Sequence, residues 1–108
     1  MAVKLAVAGA FHTDFMAPAV PKLEAVLADV TVSTPRIPVI SNVDAAPHSD
    51  PDEIKSILAK QVTAPVQWET IVKGLLDGGM ETAYELGPGK VLAGIIKRID
   101  KTAKVINV

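Results

Sequence analysis

From Val3 to Ala10 (VKLAVAGA) the chain alternates apolar and polar positions and then turns continuously small and apolar, ending at Gly9. That pattern predicts a strand buried in a sheet, with Phe11 and His12 at its carboxyl end. Thr13 or Asp14 can cap a helix running to about Ala28, in which Met16, Val20, Leu23 and Leu27 share one face. Pro18 falls in its first turn, and Pro21 introduces a kink or a delayed start. Ile37 to Val43 (IPVISNV) reads as a second short strand. Asp50-Pro51-Asp52-Glu53 then combines a capping side chain, a proline at the first helical position and an acid three residues on, which together specify a helix start. Its buried stripe is Ile54, Ile57, Leu58 and Val62.

After a break at Thr63-Ala64-Pro65, Trp68, Ile71, Val72, Leu75 and Leu76 predict another helix, ended by Gly78-Gly79. Thr82 to Leu86 reads as a strand, Gly87-Pro88-Gly89 as a turn, Val91 to Ile99 as a helix and Lys104 to Val108 as a last strand. The predicted order is β-α-β-α-α-β-α-β. Alternation of this kind favours an α/β fold with a mainly parallel sheet covered by helices. Ligands in such sheets sit at the carboxyl ends of the strands, which puts Phe11-His12, Asn42-Val43 and Gly87-Pro88-Gly89 on one rim.

Composition narrows the chemistry. The chain has 108 residues, enough for one domain with its own core, and a formal charge of −1, so no strong field draws it to nucleic acid or to an anionic membrane. It has no cysteine, which removes disulfides, thiolate metal sites and a thiol nucleophile together. Its apolar runs, broken by Lys4, His12, Asp14 or prolines, fall short of the roughly 20 residues a membrane-spanning helix needs. No signal or transit segment separates Met1 from the first predicted strand, so any targeting information is expected to be absent or upstream.

His12 is one of two histidines, and its place on the rim leaves two readings open: a general base working near neutral pH, or a core residue. His48, in the polar stretch Ala46-Pro47-His48-Ser49-Asp50, reads as a solvated loop residue. None of Ser33, Ser41, Ser49 and Ser56 lies in a G-x-S-x-G elbow, so the nucleophile a base would serve is not expected in this chain. Metal binding is poorly supported, because the histidines lack helical partners and the carboxylates gather at helix caps and solvent faces. Gly87-Pro88-Gly89-Lys90 lacks the rest of a phosphate-loop pattern and reads as a tight turn. Lys97, Arg98, Lys101 and Lys104 gather near the end of the last helix, where cations complement the helix dipole. They offer a docking patch for an acidic partner as the sharper alternative.

Four segments resemble the malonyl-CoA:acyl carrier protein transacylases of fatty acid synthesis and the related acyltransferase domains of polyketide synthases. They are Gly9-Ala10-Phe11-His12 with Met16; Ile37 to Val43; Gln61 followed by Pro65-Val66-Gln67-Trp68; and Glu85-Leu86-Gly87-Pro88-Gly89-Lys90-Val91-Leu92. The resemblance covers nearly the whole chain, and the order and spacing of the segments make it specific. It implies the C-terminal portion of the hydrolase-like large subdomain of the acyltransferase fold.

It also implies roles. His12 would be the catalytic histidine of a serine–histidine dyad, with the main-chain carbonyl of Gln61 accepting the imidazole hydrogen bond. Phe11 would favour malonyl over methylmalonyl by filling the space of the extra methyl, and Asn42 is the second substrate-side candidate. Malonyl-CoA and acyl carrier protein, through its phosphopantetheine, would be the partners, with no cofactor, no metal, no nucleic acid and no membrane. A plastid stroma or a bacterial cytoplasm would be the setting. The serine elbow, an oxyanion-hole glutamine and a carboxylate-binding arginine would lie before Met1, leaving an unprotected sheet edge and a chain inactive alone. A non-catalytic carrier-protein-binding α/β module is the alternative from another class.

Overall fold

A computed structural model describes every residue, Met1–Val108, and the chain divides into two compact units, Met1–Gln67 and Trp68–Val108.

In the first unit Thr13 is extended, and its hydroxyl accepts the Phe15 N–H at 3.3 Å. That cap opens a 3₁₀ segment, Asp14–Ala19, which passes into helix α1, Val20–Ala28. The two prolines explain the delayed α-helical start. Pro18 has no N–H to give, and Pro21 sits in the first turn of α1, where its missing N–H leaves no helical carbonyl unpaired. Helix α2, Pro51–Gln61, begins as its sequence specifies: the Asp50 carboxylate accepts the Asp52 N–H at 3.2 Å and Pro51 occupies the first turn. Asp52 and Glu53 lie at its positive end and Lys60 at its negative end. α1 packs on α2, and Ala59 is the residue this unit buries most fully.

Two expected strands do not form. Val3 to Ala10 carries no ladder, and Val3, Leu5 and Val7 are 68, 72 and 70% exposed. Ile37 to Val43 makes only one antiparallel bridge, Ile40 to Pro47. The reason is that a helix satisfies its backbone from within, whereas a strand needs a neighbour to take its N–H and C=O groups. No segment of this chain pairs with Val3 to Ala10, and Ile37 to Val43 finds only that single bridge.

The second unit is closed more completely. Helix α3, Trp68–Asp77, ends where Met80 N–H bonds Leu75 O at 2.9 Å and Gly79 N–H bonds Leu76 O at 3.0 Å, with Gly79 at φ 95°. This double bond pattern needs a left-handed residue, which glycine supplies without a Cβ clash. Strand β1, Thr82–Glu85, pairs in parallel with β2, Lys104–Asn107, in the register Thr82 to Lys104 through Glu85 to Asn107. Helix α4, Val91–Ile99, makes the crossover that a parallel pair requires. α3 packs on α4 and α4 on β2, burying Ile71, Val72, Ala93 and Ile96. The architecture is therefore α/β with a parallel sheet and covering helices, although the sheet has two strands where four were expected. The indole N–H of Trp68 is buried without a hydrogen-bond partner. No helix is long and apolar enough to cross a membrane.

Candidate functional site

The end of α2 and the turn before the 3₁₀ segment meet at His12. Its backbone N–H donates to Val62 O at 2.9 Å, and its Nδ1 lies 2.9 Å from Gln61 O. Gln61 ends α2 and Val62 caps it, so both acceptors are carbonyls that a helix terminus leaves unpaired. A carbonyl can only accept, so Nδ1 carries the proton and the neutral ring keeps its lone pair on Nε2. Nε2 has no hydrogen-bond partner within the chain.

Holding that ring in place strains the backbone. His12 sits at φ 65°, in the left-handed region that non-glycine residues visit rarely. Strain of this kind persists where the surroundings over-determine a conformation, and the two carbonyls of Gln61 and Val62 are that constraint.

Phe11 is 53% exposed beside His12, and its ring comes within 3.4 Å of where a Cβ on Gly9 would lie, as does the Met16 sulfur. Asn42 lines a cavity of about 260 Å³ with Gln61, His48, Ile40, Ile54 and Leu58, and its carbonyl accepts the Gln67 N–H at 2.9 Å. His12 and Phe11 are not among that cavity's walls. The structure thus joins His12 to Gln61 directly and Asn42 to Gln61 through the cavity, while Asn42 and His12 share neither a bond nor a wall.

His48 is not a solvated loop residue. Its side chain is only 14% exposed, with Nε2 2.8 Å from Asp44 Oδ2 and Nδ1 3.0 Å from Glu53 Oε1. Glu53 therefore spends its carboxylate on His48 and not on the backbone of its own helix start. Partial desolvation pushes the Asp44 carboxyl up, but hydrogen bonds from the Ala46 N–H and from His48, with the charge of that ring, outweigh it and hold Asp44 below its ordinary value. The signal in the sequence was the four-residue spacing of Asp44 and His48. Glu53 could be added only once the turn was known to fold back on α2. No group of three or more histidine, cysteine, aspartate or glutamate side chains is placed to hold a metal ion.

Gly87-Pro88-Gly89 is a tight turn, with Gly87 at φ 120° and Gly89 at φ 85°. Lys90, at the N-cap of α4, supplies no side-chain cap. The buried Glu85 carboxylate does so from β1, accepting the Leu92 and Ala93 N–H groups at 2.9 Å each and Asn107 Nδ2 at 2.8 Å. Asn107 also donates to Gly89 O at 3.1 Å, tying β2 to the turn. The bond from Ala93 is the largest influence on Glu85, and with Leu92 and Asn107 it outweighs desolvation and lowers the carboxyl below its ordinary value. An internal anion thus fills the helix terminus that a phosphate would use. Sequence reasoning kept Glu85 only as part of a motif, and Asn107 gave no sign of its role.

No protein-family model matches the chain. It is 39% identical over 107 residues to the malonyl CoA-acyl carrier protein transacylase of Bacillus subtilis, which covers 99% of this chain and 34% of the relative. The solved acyl carrier protein S-malonyltransferase of Vibrio cholerae superposes with a TM-score of 0.91 at 41% identity, covering 96% of this chain and 34% of the other. The chain belongs with the malonyl CoA-acyl carrier protein transacylases. It spans about a third of the length of these relatives and corresponds to the C-terminal portion of the acyltransferase fold. A malonyl-transacylase solved together with its type II polyketide acyl carrier protein gives a TM-score of 0.91 at 36% identity, again over 96% of this chain.

Proposed function

We propose that this chain is the histidine-bearing portion of a malonyl-CoA:acyl carrier protein S-malonyltransferase, with its serine nucleophile in the rest of the enzyme. The observation that carries the reading is the 2.9 Å contact of His12 Nδ1 with Gln61 O, which leaves Nε2 as a free base. In the assembled enzyme Nε2 takes the serine hydroxyl proton as the oxygen attacks the malonyl thioester. The carbon–sulfur bond breaks, and the imidazolium returns that proton to the departing coenzyme A thiol. The phosphopantetheine thiol of the carrier protein then gives its proton to Nε2 and attacks the acyl-serine, and the serine oxygen recovers the proton as it leaves.

Gln61 acts through its main chain, which any residue can supply. Phe11 and Asn42 stand on the substrate side, Phe11 by limiting the room beside the malonyl methylene. The reaction draws on no cofactor and no metal. Its natural setting is a bacterial cytoplasm or a plastid stroma, and the 108 residues alone are inactive.

The test uses the full-length enzyme. His12→Ala is expected to lower acylation by about 10² to 10⁴, the usual contribution of a positioned base. Gln61→Ala should stay within about 0.5 kcal/mol of the parent, as for substitutions that remove no buried contact. An enzyme indifferent to His12→Ala, or malonyl transfer by the isolated chain that depends on His12, overturns the reading.

A carrier-protein-binding role for the basic end of α4 is favoured by one observation, the exposure of Lys97, Arg98, Lys101 and Lys104. Amide shifts at those residues on adding carrier protein, fading with salt, would mark docking and separate it from catalysis.

A further inference from the structure

We propose that His48 is a protonation-dependent clamp fixing the Ser41–Ser49 turn to the first turn of α2. The argument is one of donor count. Both ring nitrogens lie within hydrogen-bond distance of carboxylate oxygens, 2.8 Å to Asp44 and 3.0 Å to Glu53. An ionised carboxylate only accepts, so both contacts are hydrogen bonds only when both nitrogens carry protons. A neutral imidazole keeps one N–H, and its other nitrogen then turns a lone pair toward a carboxylate. Loss of the second proton to solvent converts one arm of the clamp from attraction to opposition.

The two arms belong to different elements. Glu53 is in the first turn of α2. Asp44 is part of a turn closed on itself by Ser41 N–H to Ala46 O at 3.0 Å, Ala45 N–H to Ser41 O at 3.0 Å and Ala46 N–H to Asp44 Oδ1 at 3.1 Å. Ala45 at φ 56° adds strain that the turn must hold. Deprotonation therefore leaves the turn's own bonds intact and breaks the link from Asp44 through the ring to Glu53 at one arm, whichever nitrogen keeps its proton. The charged groups around the ring are few. Asp44 and Glu53 face it, Arg36 lines a surface cavity with it, and Asp50 is engaged by the Asp52 N–H.

The turn follows Asn42, whose carbonyl holds the Gln67 N–H, so releasing it loosens the strand-like run on the cavity wall. The inference does not rest on malonyl transfer, and its test does not use it. Amide exchange of Val43–Ser49 in the full chain, corrected for intrinsic rates, is to be followed from about pH 5 to about pH 8 beside the ring resonances of His48. Protection should fall roughly two- to fivefold, the worth of one ion pair, with the midpoint of the His48 titration. His48→Gln, which can bond one carboxylate but cannot titrate, should abolish the step. If that variant loses its amide dispersion, Glu53→Gln is read instead and should abolish it too. A step that persists in the folded variant, or protection unchanged as His48 titrates in the parent, overturns the clamp.

Discussion

The two units of this chain differ in how far their sequences complete themselves. Trp68–Val108 holds both halves of its parallel pair, the crossover between them and a cap for α4, and it buries Ile71, Val72, Glu85, Ala93 and Ile96. Met1–Gln67 holds the helix terminus that grips His12, yet buries only Ala59 and leaves one strand-like run unpaired and another with a single bridge. Completeness and chemistry are thus separated along the chain. The unit that holds His12 and Gln61 pairs less of its extended backbone within itself, because strands, unlike helices, are made by their neighbours.

The largest expected effect tests that contrast directly. Ile96 is 6% exposed in the second unit, and Ile96→Ala should destabilise it by about 2 to 5 kcal/mol through lost transfer energy and a cavity. Ile37 is 68% exposed in the first unit, and Ile37→Ala should stay within about 0.5 kcal/mol. Denaturant unfolding of the two variants measures both. On our reading a complete transacylase supplies the neighbour of Ile37 to Val43, and there the same substitution should cost as much as a core truncation. Equal, small effects of Ile37→Ala in both settings would mean that the run is a surface segment and not an unpaired strand.

The same contrast explains what could be read from the residues alone. Every predicted helix is present, because its signals are local: Asp50-Pro51 starts α2, Gly79 ends α3, and the apolar stripes of α3 and α4 mark their packed faces. The strands at Thr82 and Lys104 were legible because each finds the other. Val3 to Ala10 and Ile37 to Val43 carry the same kind of pattern without a partner strand, and pattern alone does not report that. The contact of His12 with Gln61 was legible through motifs, whereas the embrace of His48 by Asp44 and Glu53 and the cap that Glu85 and Asn107 give α4 depend on chain folding that spacing does not encode.

An intermediate effect concerns α2, which presents Gln61 to His12 from one end and Glu53 to His48 from the other. Asp50→Ala removes its N-cap and should cost about 0.5 to 2 kcal/mol. Amide exchange should place the loss in the first turn of α2, beside Glu53, and leave β1 and β2 protected. Loss of protection in the strands as well would show that the two units unfold as one, against the contrast drawn above.

The smallest effect is invisible at neutral pH and belongs to Glu85. Its carboxylate is held below the ordinary value near 4.5 by the Ala93 N–H first and by Leu92 and Asn107, against desolvation. A carboxyl lowered by folding binds its proton less readily in the folded state than in the unfolded one. Its stabilisation is therefore complete above the unfolded value and is lost as pH falls below it toward the folded one. Unfolding of the second unit should thus become easier in acid from about pH 4.5 downward, starting at the N-terminus of α4, where Leu92 and Ala93 lose their acceptor. Glu85→Gln keeps a carbonyl acceptor but cannot titrate, so this component of the acid dependence should vanish while the rest persists. Exchange at Leu92 and Ala93 against pH reads the difference. If the variant shows the same acid-induced loss at those two amides as the parent, the carboxylate is not what secures the helix to the strand, and the self-sufficiency of this unit must come from its apolar contacts alone.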